Sequence, residues 1–273
     1  MAIIISILFG IVEGITEWLP VSSTGHMILF NALIHFENYV SSDFYSMYEV
    51  VIQLGAILAV ALLFFKALWP LKRDEESNIS LDKNTLNLWL KIIISSIPAA
   101  CIIPFDDYFE EMFYNPISVA IALIVFGIGF IVIEKLHKGK RARVNSLNDL
   151  TYLDALLIGC FQVLAAIFPG TSRSGATILG GLLIGEARGI ATEYTFFLAL
   201  PAMAGASLLK LLKFSGVLAF NEIMILLVGM ISAFVVSLYV IRNLLGYVRK
   251  HDFTIFGYYR IILGIIVIIF FSL

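Results

Sequence analysis

Glu13 and Glu17 stand four residues apart, and Pro20-Val21-Ser22-Ser23-Thr24-Gly25-His26 follows at once. Four residues is one helical turn, so the two carboxylates share a helix face. A close acid pair can hold a divalent cation or serve as a base. Three hydroxyls and a glycine after a proline open a helix whose free N–H groups suit an anion. Plain N-capping by a serine is the simpler alternative for any one hydroxyl. It does not account for three of them beside two acids and His26. His26 can act as nucleophile or as general acid/base.

A second polar stretch, beginning at Gln162, runs through Pro169-Gly170-Thr171-Ser172-Arg173-Ser174-Gly175-Ala176-Thr177. With one extra residue allowed, it repeats the design of the first. Arg173 is set in apolar sequence, where an arginine needs a partner. An internal salt bridge to Glu13, Glu17 or Glu193 would satisfy it. A planar fork between serines and glycines fits bidentate phosphate binding better. The expected catalytic set is Glu13, Glu17, Ser23, His26 and Arg173. Ser22, Thr24, Gly25, Gly170, Thr171, Ser172, Ser174, Gly175 and Thr177 are expected to bind the substrate. Glu13 and Glu17 are candidate ligands for Mg or Ca. Glu49, Gln53 and Glu193 either line the same cavity or sit at an interface.

The elements that position these groups must lie in a bilayer. Of 273 residues, 60% are hydrophobic and only 14% charged, with a mean hydropathy of +0.96. Soluble domains carry about 25% charged residues. The reading is an all-α integral membrane protein. Residues 2–36 are too polar and too short-segmented to cross, and suggest a re-entrant helical pair. Spans are expected at 47–66, 88–105 (kinked at Pro98) and 117–135, with a polar loop at 37–46 and an acidic one at 106–111. The pattern then restarts: a re-entrant pair over 152–186, and spans at 192–212, 221–241 and 254–272. The halves are residues 1–150 and 151–273, parts of one membrane domain. Three crossings per half make them inverted repeats, an architecture that places sites near the midplane.

Basic residues sort by loop. Lys66, Lys72, Arg73, Lys83 and Lys91 surround Asp74, Glu75 and Glu76. Lys135–Arg143 and Arg242–His251 are also basic. The positive-inside rule then puts the N-terminus and the acidic loop outside, with Lys210 and Lys213 against the trend. Arg260 is expected to snorkel to the inner surface. Cys101 and Cys160 share no ligand spacing and read as buried free thiols. The N-terminus has no basic n-region, so a removable signal peptide is not expected.

Glu13-x-x-x-Glu17 with Pro20–His26, Pro169–Thr177, and more weakly Glu49-Val-Val-Ile-Gln-Leu-Gly55, carry a resemblance that covers the whole chain. It resembles the undecaprenyl-diphosphate phosphatases of the bacitracin-resistance family. The resemblance implies hydrolysis of the lipid diphosphate to the monophosphate, which recycles the carrier for cell-wall synthesis and confers bacitracin resistance. It implies interlocked inverted repeats with two re-entrant pairs in a bacterial plasma (inner) membrane, and a site facing outward. The implied partner is a polyprenyl diphosphate in the bilayer; no nucleic acid is expected, and a homodimer is left open. The Lys/Arg-Pro signature of the other lipid phosphatases is missing.

In the expected mechanism Arg173 and the hydroxyls hold the diphosphate, and Ser23, His26 or a water attacks. Glu13 and Glu17 supply the base, directly or through a cation. A transporter or flippase of a polyprenyl phosphate lipid is the rival reading. An acid pair beside the anion site favours hydrolysis, since hydrolysis needs a base and transport does not.

Overall fold

Prolines and capping side chains decide where the helices stop in a chain with so little polar sequence to break them. The computed structural model describes residues 1–73 and 79–272, so Asp74, Glu75 and Glu76 of the expected charged loop lie outside the described residues. Helix α1 covers Ala2–Thr16 and α2 covers Ser23–Ile34. Pro20 interrupts them, and Ser22 takes a φ of 72° to cap α2. Helices α3 (Ser42–Val51), α4 (Gln53–Leu63) and the short α5 (Phe65–Leu68) follow, then a hairpin of β1 (Leu71–Arg73) and β2 (Ile79–Leu81). Next come α6 (Lys83–Ala100), with Pro98 inside it, α7 (Asp106–Phe113) and α8 (Pro116–His137). Asn115 caps α8 and Pro116 opens it, where a missing N–H costs nothing.

Helix α9 covers Tyr152–Ile167, begun by a Thr151–Asp154 capping box, and α10 covers Arg173–Leu183. Pro169 and Gly170 interrupt this pair, and Ser172 caps α10 with a φ of 70°. Helices α11 (Arg188–Lys213), α12 (Phe220–Val248) and α13 (Thr254–Ser272) complete the chain.

Among the described residues, six stretches are long and apolar enough to cross a membrane: Ser42–Leu63, Lys83–Phe113, Pro116–His137, Arg188–Lys213, Phe220–Val248 and Thr254–Ser272. The protein is an all-α multi-pass membrane protein. Several boundaries differ from expectation. The acidic stretch at 106–111 is helical in α7, because Asp106 and Asp107 sit in a first turn, where the helix dipole favours anions. The polar stretch at 37–46 gives way to α3 at Ser42, since the Ser41 hydroxyl accepts from Phe44 N–H. Helix α12 runs on through most of the expected basic loop to Val248. Cys101 and Cys160 are free but exposed on the helix surface, not buried. Arg260 does not snorkel; it is fully buried.

Close backbone approach holds the elements together, as in lipid, where burying apolar surface drives little association. A Cβ on Gly10 would stand 2.4 Å from Gly229 O, which sets α1 directly on α12. A Cβ on Gly159 would stand 2.3 Å from Ser95 O, which sets α9 on α6. Gly127 and Gly257 do the same for α8 and α13.

The two ends of the bundle differ in charge. At one end Lys210 pairs with Glu110 at 2.9 Å and Lys213 with Asp107 at 2.6 Å. At the other, Arg188 grips Glu134, Arg143 reaches Asp154, and Lys91 donates to Leu147 O and Asn148 O.

Candidate active site

Each interrupted pair delivers one reactive side chain to the first residue of its second helix. Ser23 opens α2 and Arg173 opens α10. Ser22 and Ser172 cap them, accepting from Gly25 N–H at 3.3 Å and Gly175 N–H at 3.1 Å. The positive φ at both serines turns the chain sharply enough to start a new helix at once.

Glu17, at the end of α1, joins the two. Its Oε2 accepts from Ser23 Oγ at 2.7 Å, and its Oε1 accepts from Arg173 Nη2 at 3.0 Å. Arg173 also donates through Nη1 to Thr195 O at 2.9 Å. Its Nε–H has no partner among the described residues. The salt bridge to Glu17, one of the partners expected for Arg173, is present.

Two continuous lobes open over this triad, of about 390 and about 400 Å³. They share Ser23, Thr24, Gln53, Asp106, Pro169 and Lys210. One lobe is acidic, with Glu13, Glu49, Glu37, Tyr45 and Tyr114. The other holds Glu17, Gly170, Ser172, Arg173 and Gln162 beside Ala99, Ile103, Ala202, Met203 and Leu209. A charged head and an apolar flank thus lie side by side. Glu49 and Gln53 line the cavity; Glu193 does not.

Glu13 is fully buried, and neither of its oxygens has a partner among the described residues. Glu49 accepts from the hydroxyls of Tyr45 and of Tyr114. A hard divalent cation fits a carboxylate with two free oxygens. Glu13 therefore suits a cation better than Glu17, whose two oxygens are already taken. The tight acidic group Asp106, Asp107 and Glu110 is paired with Lys210 and Lys213.

Not every expected residue faces the cavity. His26 lies on the far side of α2. Its Nδ1–H donates to Ser22 O at 2.7 Å, and its Nε2 accepts from Tyr259 O–H at 2.6 Å. It makes no hydrogen bond to Ser23 or Glu17. Ser174 donates to Glu17 O at 3.0 Å, and Thr177 donates to Arg173 O at 2.9 Å and pairs with the Thr195 hydroxyl. Ser22, Gly25, Thr171, Ser174, Gly175 and Thr177 line neither lobe and build the frame behind it. Helical turn geometry carries Gly25, Ser174, Gly175 and Thr177 away from the face that Ser23 and Arg173 present, and Ser22 turns inward as a cap.

The sequence reading missed Tyr259, Thr195, Tyr45 and Tyr114, and placed Arg260 at the inner surface rather than beside the helix breaks. Only Arg260 carried a signal, a lone charge deep in an apolar run.

A profile of the family described as "Bacitracin resistance protein BacA" matches residues 6–266. The chain is 58% identical over 268 residues to an undecaprenyl-diphosphatase of Desulfitobacterium hafniense, covering 98% of this chain and 95% of that protein. It is 55% identical over 267 residues to undecaprenyl-diphosphatase 1 of Clostridium acetobutylicum, covering 97% and 96%. It is 54% identical over 261 residues to an undecaprenyl-diphosphatase of Lachnoclostridium phytofermentans, covering 96% and 94%. With a match of that extent reaching across both interrupted helix pairs and all six candidate spans, the chain belongs to the bacitracin resistance protein family.

Proposed function

We propose that this membrane enzyme hydrolyses undecaprenyl diphosphate to undecaprenyl phosphate and phosphate, returning the carrier to cell-wall synthesis. The activity underlies bacitracin resistance. The observation that carries the reading is the placement of Glu17, which joins Ser23 and Arg173 at two helix starts on the floor of a half-apolar cavity.

Phosphoryl transfer needs positioning and charge neutralisation above all. Arg173 and the first-turn N–H groups of α2 and α10 take the diphosphate, with Thr24, Gly170 and Ser172 beside it. Glu17 Oε2 accepts the proton of Ser23 Oγ–H as that oxygen bonds to the terminal phosphorus. The anhydride P–O bond breaks and its electrons leave on the lipid monophosphate. Glu17 passes that proton to the departing lipid monophosphate; it then accepts a proton from the water that attacks the phosphoserine and returns it to Ser23 Oγ as inorganic phosphate leaves. His26, whose ring nitrogens are both engaged, acts by holding the start of α2. Glu13, whose two oxygens are free, is the proposed ligand of Mg or Ca, which would neutralise phosphate oxygens when bound; Glu17, the other candidate, is held by Ser23 and Arg173.

Two inverted repeats, residues 1–150 and 151–273, are part of this reading. Three observations support them: the matched serine caps, the paired approach of Gly10 to Gly229 O and Gly159 to Ser95 O, and the packing of each re-entrant pair on the other half. The cavity opens where Lys210 and Lys213 are paired with acids, and the basic loops Lys135–Arg143 and Arg242–His251 lie at the other end. By the positive-inside rule this supports a site facing outward from the bacterial plasma membrane.

Purified protein in detergent should release phosphate from a polyprenyl diphosphate. Ser23→Ala, Glu17→Gln and Arg173→Ala should each lower kcat/KM by on the order of 100-fold or more. Full turnover in the Glu17 or Arg173 variant sinks the assignment. Detergent has no second compartment, so phosphate release there also separates hydrolysis from lipid flipping.

A further inference from the structure

Arg260 on α13 is 0% exposed, and none of its hydrogen-bond partners is a carboxylate. Its partners are backbone carbonyls from three parts of the chain. Nη1 donates to Pro20 O at 3.1 Å, Nη2 to Gly170 O at 2.9 Å and Thr171 O at 2.7 Å, and Nε to Leu123 O at 3.4 Å. The Phe126 ring lies 5.8 Å from its Cζ. These carbonyls belong to the two helix breaks and to α8. A broken helix at membrane depth leaves such oxygens without an N–H, and lipid offers no water to replace it.

We propose that Arg260 is a positioning residue which holds the two breaks in register. The inference rests on the reading of the site as a phosphatase. Pro20 leads into Ser23, and Thr171 leads into Arg173. One rigid guanidinium bonded to both breaks fixes how far the serine oxygen stands from the anion site. A planar fork with five N–H donors can hold carbonyls on divergent lines; an ammonium, a compact point charge with three donors, cannot. The uncompensated cation also adds positive potential behind both helix starts. The clamp acts through Ser23 and Arg173 and does not itself touch the phosphate.

The test is Arg260→Lys in the full chain in detergent, with kcat, KM and Tm measured beside wild type. A displacement of about 1 Å at reacting groups costs on the order of 100-fold. We expect kcat down by that order, KM within about threefold because Arg173 still grips the diphosphate, and the loss undiminished when normalised to folded protein. A lower Tm with unchanged kcat per folded molecule would leave Arg260 merely structural and overturn the proposal. If Arg260→Lys does not fold, Arg260→Gln decides: its shorter amide keeps a polar head but has two N–H donors in place of five and cannot reach both breaks. A fall in kcat of tenfold or more at constant Tm supports the clamp, and a smaller fall or none overturns it. An inactive wild type would instead refute the phosphatase reading itself.

Discussion

Glu17 gives one oxygen to a hydroxyl and the other to a guanidinium, and Glu13 gives neither of its own away. Two acids on one turn of one helix thus have different work. Glu17 is committed to the reacting pair, while Glu13 has free oxygens at the end of the acidic lobe. Mg or Ca should therefore raise the Tm of the wild-type protein in detergent by several degrees, and Glu13→Gln should abolish that rise. An equal rise in the variant would place the cation elsewhere. Glu13, Glu17, Ser23 and Arg173, which line the cavity, stand out in the sequence because hydroxyls, acids and an arginine are costly in apolar surroundings; His26, Ser174 and Thr177 stand out equally and line neither lobe. Tyr259 and Thr195 were not legible. Each meets the site from a distant helix, and an isolated tyrosine or threonine in a span has many ordinary uses.

At the scale of elements, the interrupted helices were legible because proline and glycine break helices for local reasons. Helix α7 was not, since its four acids between two spans read as a loop although Tyr108, Phe109, Met112 and Phe113 share a helical spacing. Pairing between helices was also invisible. The packing of α9 on α6 depends on which glycine meets which carbonyl, and no local pattern encodes that. It can be tested directly. Gly159→Ala should cost about 1–3 kcal/mol, as over-packing does, because its Cβ would lie 2.3 Å from Ser95 O. Gly246→Ala on α12, with nothing within 4 Å of its Cβ, is the control and should leave Tm unchanged or slightly higher. Equal effects on Tm at the two sites would remove the close contact from the account.

The whole molecule has a chemically distinct basic end. There the 143–144 segment is bonded to the turn that carries Glu186, between α10 and α11 and outside every span. Burial pushes Glu186 from 4.5 up to about 8, Asp154 adds to the rise, and Arg143 opposes it. The folded protein thus keeps a proton that the unfolded chain has released. Stability is full below about pH 4.5 and declines as pH rises toward about 8. Wild type should lose Tm between about pH 5 and about pH 9, and Glu186→Gln should flatten that slope. An identical slope in both proteins would exclude Glu186 as the cause. The interleaving of early and late helices also has a consequence for biogenesis. While the ribosome is still making the second half, α1 has no α12 to lie against, and Pro20 and Thr171 wait for the guanidinium of α13. A nascent chain should therefore stay inert until almost its last residues have entered the bilayer, and a truncation that removes only α13 should leave both interrupted helix pairs unlatched.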